Sequence, residues 1–156
     1  MDEEGRRITD AWLIDHDGVT QKGDFILNSN GSYSTSKGDE DVIETIDGSN
    51  RLITRSFQNW HTHLAMTLNR GMGEGLPLME WLEKSIFPVE KNLTPELIEI
   101  GTRAAAAEMI ATGTTFACDM YFHTETIGNT LAESGVRAIL CGPVTDGLTP
   151  NYEEGS

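Results

Sequence analysis

The chain has 156 residues, with 25 acidic against 11 basic side chains and a formal net charge of −14. Such a charge repels nucleic-acid phosphate and anionic lipid, and no apolar run approaches the ~20 residues of a membrane helix, so neither nucleic acid nor membrane is expected as a partner. The length allows one domain with a real core, or a small domain plus part of a larger one.

The acid is spread along the chain, which reads either as an ordinary solvated surface or as adaptation to high salt. The opening Met1-Asp2-Glu3-Glu4-Gly5 lacks the basic start and apolar stretch of a signal peptide, so a cytoplasmic location is expected. The two cysteines, Cys118 and Cys141, form no CxxC pair and sit in apolar segments, which predicts buried free thiols.

In chain order, residues 1–55 form a β-rich part, with four or five short strands predicted in a small antiparallel sheet or sandwich. Asn30-Gly31 and Asp47-Gly48 are both hairpin signals, because the tightest hairpin turns need positive φ at their central residues. From residue 56 to 156 the texture changes. "SFQNW" is a strand candidate that ends at His61 and His63. In "LPLMEWLEKSIFPVE" (76–90), Leu78, Leu82, Ile86 and Val89 fit one helix face, which Pro88 should break.

A second helix is predicted over 94–112. Thr94 suits the N-cap, Pro95 the first helical position and Glu96 the positive end of the dipole, with Gly113 as the stop. Leu97, Gly101, Ala105 and Met109 form a stripe with small members, so this helix should approach a sheet closely. "TTFACDMY" (114–121) then reads as a buried strand, "HTETIGNTLAESG" (123–135) as a helix with Ile127 and Leu131 inward, and "VRAILCGPV" (136–144) as another buried strand. Strand, helix, strand is a βαβ unit, which implies a parallel sheet.

The histidines carry the chemistry. Residues two apart on a strand point to the same side, so His61 and His63 project together with Thr62 facing away. Two neutral imidazoles on one side can grip one metal ion. An HxH alone is a short pattern, and one ring packed with the other solvated is the plain alternative.

The stretch "HTHLAMTLNRGMGEGLPLMEWLEKSIFPVEKNLTPE" resembles the amidohydrolase superfamily, in its adenosine-type deaminase branch. "AEMIATGTTFACDMYF" and "ESGVRAIL" are similar to the same branch. The resemblance implies an α/β fold: the N-terminal part of a (β/α)8 TIM-type barrel of a metal-dependent hydrolase, preceded by part of a small β-sandwich. It implies that His61 and His63 are the first two metal ligands, for Zn²⁺ or another divalent ion such as Fe²⁺ or Mn²⁺. It further implies that Glu90 contacts the substrate. Trp81 could wall a nucleoside pocket or simply pack in a core, and His123 could line the pocket mouth or simply start a helix. Asp119 lies in a buried strand without an assigned role.

The implied activity is hydrolytic deamination of S-adenosylhomocysteine, 5'-methylthioadenosine or 5'-deoxyadenosine. The implied alternatives are a chlorohydrolase or other heterocycle amidohydrolase, and a non-catalytic interaction remnant. Two departures bear on the substrate: Arg55-Ser56 stands where the family has Pro-Gly, and "RAILCGPV" carries Cys141-Gly142 where bacterial methylthioadenosine-type members carry an arginine. A barrel needs about 250 residues and a catalytic metal site three or more protein ligands, so the chain reads as a fragment, inactive alone. A homo-oligomer, or the rest of the barrel, is the expected partner besides a small nucleoside-type substrate.

Overall fold

The computed structural model describes residues 5–144, so the acidic opening Met1–Glu4 and the terminal Gly155-Ser156 lie outside it. The chain divides between Arg55 and Ser56 into two compact units.

The first unit is one five-stranded sheet of β1 (Arg6–Ile14), β2 (Thr20–Leu27), β3 (Tyr33–Thr35), β4 (Glu44–Asp47) and β5 (Leu52–Ile53). Its core is Ile8, Ala11, Leu13 and Phe25, drawn from alternate positions except where β1 shifts register between Ile8 and Ala11. Asp10 sits in that bulge at φ 54°. The Asn30-Gly31 turn joins β2 to β3 as an antiparallel hairpin. The other hairpin expectation is corrected. β4 and β5 both run parallel to β1, and Asp47-Gly48 makes a kink that hands the chain from one stretch of β1 to the next. Gly48 is buried there, its N–H bonded to the Thr9 carbonyl, and a Cβ would strike Ala11, Ile8 and Thr9. Thus the glycine serves close approach, and the sheet is mixed rather than antiparallel.

The second unit is a parallel sheet in the order β6 (Phe57–Thr62), β7 (Thr114–Met120), β8 (Arg137–Cys141). Between β6 and β7 come a 3-10 turn at Leu64–Asn69, α1 (Leu78–Trp81), a π turn at Leu82–Ile86, α2 (Phe87–Glu90) and α3 (Pro95–Ala111); α4 (Thr124–Ser134) links β7 to β8. α3 starts as expected: the Thr94 hydroxyl accepts from the Leu97 N–H at 3.3 Å, and Pro95 needs no partner there. α4 ends at Gly135, in the left-handed region at φ 74°.

Four expectations are corrected in this unit. Pro88 does not break the helix: the chain widens ahead of it into the π turn, where the Phe87 N–H reaches back five residues to the Leu82 carbonyl. The stripe there buries only Ile86, while Leu78 is 66% exposed. On α3 the buried face runs through Ile98, Gly101, Thr102, Ala105, Ala106 and Met109, leaving Leu97 outside. Gly101 does permit a close approach, but to the 3-10 turn rather than a sheet; a Cβ there would collide with the Ala65 backbone.

The fourth correction concerns the thiols. Ala117, Asp119, Ala138 and Leu140 face the helices. Phe116, Cys118, Met120, Ile139 and Cys141 alternate onto the opposite face of the sheet, so both cysteines are free but neither is buried. Trp60 joins that face, its ring 4.8 Å from Phe116. No helix among the described residues is long and apolar enough to cross a membrane.

Candidate active site

The carboxyl end of β6 presents the two histidines. His61 is the penultimate residue of the strand, and His63 caps the 3-10 turn that follows. Their ring centroids lie 5.4 Å apart with planes at 87°. The sequence therefore brings them together as expected.

β7 holds this corner in place. The His63 Nδ1 lies 2.6 Å from the Met120 carbonyl oxygen. A carbonyl only accepts, so Nδ1 carries the hydrogen and donates, leaving the Nε2 lone pair of the neutral ring available to an electrophile. Metal-binding histidines are oriented in this way, by a donated bond from the nitrogen that does not ligate. One residue earlier in β7, Asp119 accepts the Leu64 N–H at 2.7 Å, which fixes the backbone next to His63. Asp119 is 1% exposed, and its Oδ2 is buried without a partner. Burial pushes its carboxyl above the usual range, against the pull of the Leu64 N–H and the nearby His63.

Tyr121 follows β7 and completes the cluster. Its hydroxyl donates to Glu90 Oε1 at 2.9 Å, and its ring lies 6.1 Å from that of His63. Glu90 is 6% exposed, at the end of α2. Burial raises its pKa, while the Tyr121 bond and the neighbouring His63 oppose the rise. Tyr121 in turn is pushed up, first by burial and then by the Glu90 carboxylate. Glu90 thus stands beside the histidine corner although it lies 27 positions after His63 in the chain.

Trp81 is half-buried, with its indole N–H bonded to the Met72 carbonyl at 2.8 Å and its ring edge against Gly73. It is tied to the loop before α1 rather than to the histidines. His123 starts α4 in the left-handed region at φ 55°, its Nε2 buried without a partner. Sequence reasoning missed Tyr121. Its signal was available: a tyrosine directly after a strand whose carboxyl end faces the histidines.

Residues 52–154 match the amidohydrolase family. The chain belongs to that family.

Among curated relatives, the chain is 44% identical over 131 residues to the 5-methylthioadenosine/S-adenosylhomocysteine deaminase of Syntrophomonas wolfei, covering 84% of this chain and 30% of that protein. It is 38% identical over 135 residues to the 5'-deoxyadenosine deaminase of Methanobrevibacter smithii, covering 86% and 28%. The crystal structure of a zinc-bound adenosine deaminase from Xanthomonas campestris superposes with a TM-score of 0.77 at 30% identity, over 86% of this chain and 33% of that one. The chain thus spans about a third of the length of the relatives it matches. Its second unit has the α/β fold of a partial (β/α)8 barrel.

The donor set fits a divalent cation. Two imidazoles adjoin, one of them with its Nε2 lone pair freed by the Met120 bond, and the unpartnered Asp119 carboxylate oxygen is buried near the carboxyl end of the neighbouring strand β7. Among the described residues the one triad of close donors is Asp15, His16 and Asp17, on a turn of the first unit, so the second unit offers a pair of adjoining imidazoles rather than a complete shell of donors.

Proposed function

We propose that the full-length protein is a metal-dependent hydrolytic deaminase of an adenosine derivative: S-adenosylhomocysteine, 5'-methylthioadenosine or 5'-deoxyadenosine. The observation that carries this reading is the His63–Met120 bond, which orients one ring of an adjoining imidazole pair at a strand mouth. The names of the relatives supply the substrate class.

In this reading His61 and His63 hold Zn²⁺, or Fe²⁺ or Mn²⁺ in its place, as the first two ligands. The bound ion supplies Lewis-acid activation of water near neutral pH. Water adds its oxygen to C6 of the adenine ring, the C6–N bond breaks, and the amino group leaves as ammonia. Glu90 accepts hydrogen bonds from the sugar hydroxyls. Trp81, its indole N–H held by the Met72 carbonyl, is the candidate aromatic wall of the nucleoside site. The open face carrying Trp60 and Ile139, 62% and 52% exposed, suits cover by further barrel strands or a second copy.

The test is ammonia release by the full-length protein from these nucleosides, compared with cytosine, guanine and triazines, before and after metal chelation. Chelator-sensitive release confined to the adenosine derivatives is expected. Turnover of only the other heterocycles overturns the reading.

A further inference from the structure

We infer that Tyr121 is a positioning residue for substrate selection: its phenol locks Glu90 so that one carboxylate oxygen faces inward and the other is offered to a vicinal pair of substrate hydroxyls. The inference rests on the reading of Glu90 as a substrate contact and names the residue that makes it selective.

The geometry is specific. Tyr121 is 4% exposed and its hydroxyl donates to Glu90 Oε1 at 2.9 Å. Glu90 Oε2 has no hydrogen-bond partner among the described residues, yet it is not one of the buried unpartnered atoms, so it keeps an open side. A carboxylate held by one oxygen and open at the other is an acceptor waiting for a donor. A carbohydrate diol supplies two.

Burial and its ring neighbours restrain the phenol. The Tyr121 N–H is bonded to the Cys141 carbonyl at 3.3 Å, which anchors its backbone on β8. Its ring lies edge-on to Phe122 at 5.3 Å and is tilted against His63 at 6.1 Å. Glu90 sits at the end of a short helix whose direction the π turn sets, so without Tyr121 its carboxylate would sample several rotamers. Burial raises the Glu90 pKa, and the donated phenol bond is the larger of the two influences that oppose the rise.

The experiment measures kcat and KM of the full-length holoenzyme for 5'-methylthioadenosine and for its 2',3'-dideoxy analogue, in wild type, Tyr121→Phe, Glu90→Gln and the double variant. Tyr121→Phe should raise KM for the diol substrate about tenfold, leave kcat within about twofold, and erase most of the preference over the dideoxy analogue. The double variant should be no worse than Glu90→Gln alone. A phenol that only staples the fold would lower the unfolding temperature and shift both substrates alike; that result, or full additivity in the double variant, overturns the inference. Wild-type indifference to the missing hydroxyls removes the Glu90 reading and the inference together. Discrimination lost in Glu90→Gln but intact in Tyr121→Phe removes the inference alone.

Discussion

The backbone N–H of Leu64 donates to Asp119 Oδ1 at 2.7 Å, joining the residue after His63 to the middle strand of the sheet across 55 positions of sequence. Outer supports of this type hold metal ligands in place, and their loss commonly costs ~10–100-fold in metal affinity. Asp119→Ala should therefore weaken metal binding by about that factor, whereas Asp119→Asn, which keeps an acceptor oxygen, should stay close to wild type. Titration of the metal-free full-length protein with Zn²⁺ reads both, and equal losses in the two variants would contradict the role.

His61→Ala and His63→Ala should each reduce retained metal. The expected effect is at least about tenfold weaker binding in either variant, read by elemental analysis after dialysis against a weak chelator. Unchanged metal content in both would remove the imidazole pair from the site.

Gly101→Ala sets two effects against each other. Helix propensity alone favours alanine by about 1 kcal/mol. The new Cβ, however, meets the Ala65 backbone, which cannot rotate aside as a side chain tip would. A net destabilisation of about 1–3 kcal/mol is expected, seen as a lower unfolding temperature. Because Ala65 belongs to the turn that His63 caps, metal affinity should fall in the same variant. A more stable protein would show that the turn yields freely.

Glu40 gives a pH signature in the first unit. Its carboxylate accepts from the Lys37 and Gly38 N–H groups, the Ser36 hydroxyl and the Arg7 guanidinium. The Lys37 bond foremost, then Ser36, lowers its pKa from 4.5 to about 2. A depressed folded-state pKa contributes stability above the unfolded value, and that contribution drains away as pH falls from about 4.5 through about 2. Carboxylate NMR should find Glu40 titrating near the lower figure, and in Glu40→Gln the loop at 36–40 should lose its amide protection at neutral pH. An ordinary titration near 4.5 would contradict the loop's hydrogen bonding.

What was legible in the sequence was what local chemistry writes plainly. Thr94, Pro95 and Gly135 mark helix ends because orphan N–H groups and left-handed caps have few solutions. The HxH spacing marked two rings that meet, although only His61 is on the strand; His63 stands one residue past its end, where the Met120 carbonyl holds its ring. The direction of β4 and β5 was not legible. Asp47-Gly48 suits a hairpin, but the paired edge of β1 captured both strands in parallel, a choice made by tertiary contact. The face assignment of Cys118 and Cys141 failed for a related reason. An apolar strand looks buried on both sides, and only the sheet decides which alternate positions meet helices. The pairing of Tyr121 with Glu90 was not legible, because the two lie 31 residues apart and only the fold brings them together.

The π turn before Pro88 is in effect one inserted residue. The π turn closes its hydrogen bond one residue further back than an α-helix does, so removing one of the five residues from Leu82 to Ile86 would let the chain close as plain α-helix, with the stretch that carries Glu90 still in register. What would be lost is the width ahead of Pro88. A single-codon deletion would set the proline ring against the carbonyl four residues back, the clash that the wider turn avoids.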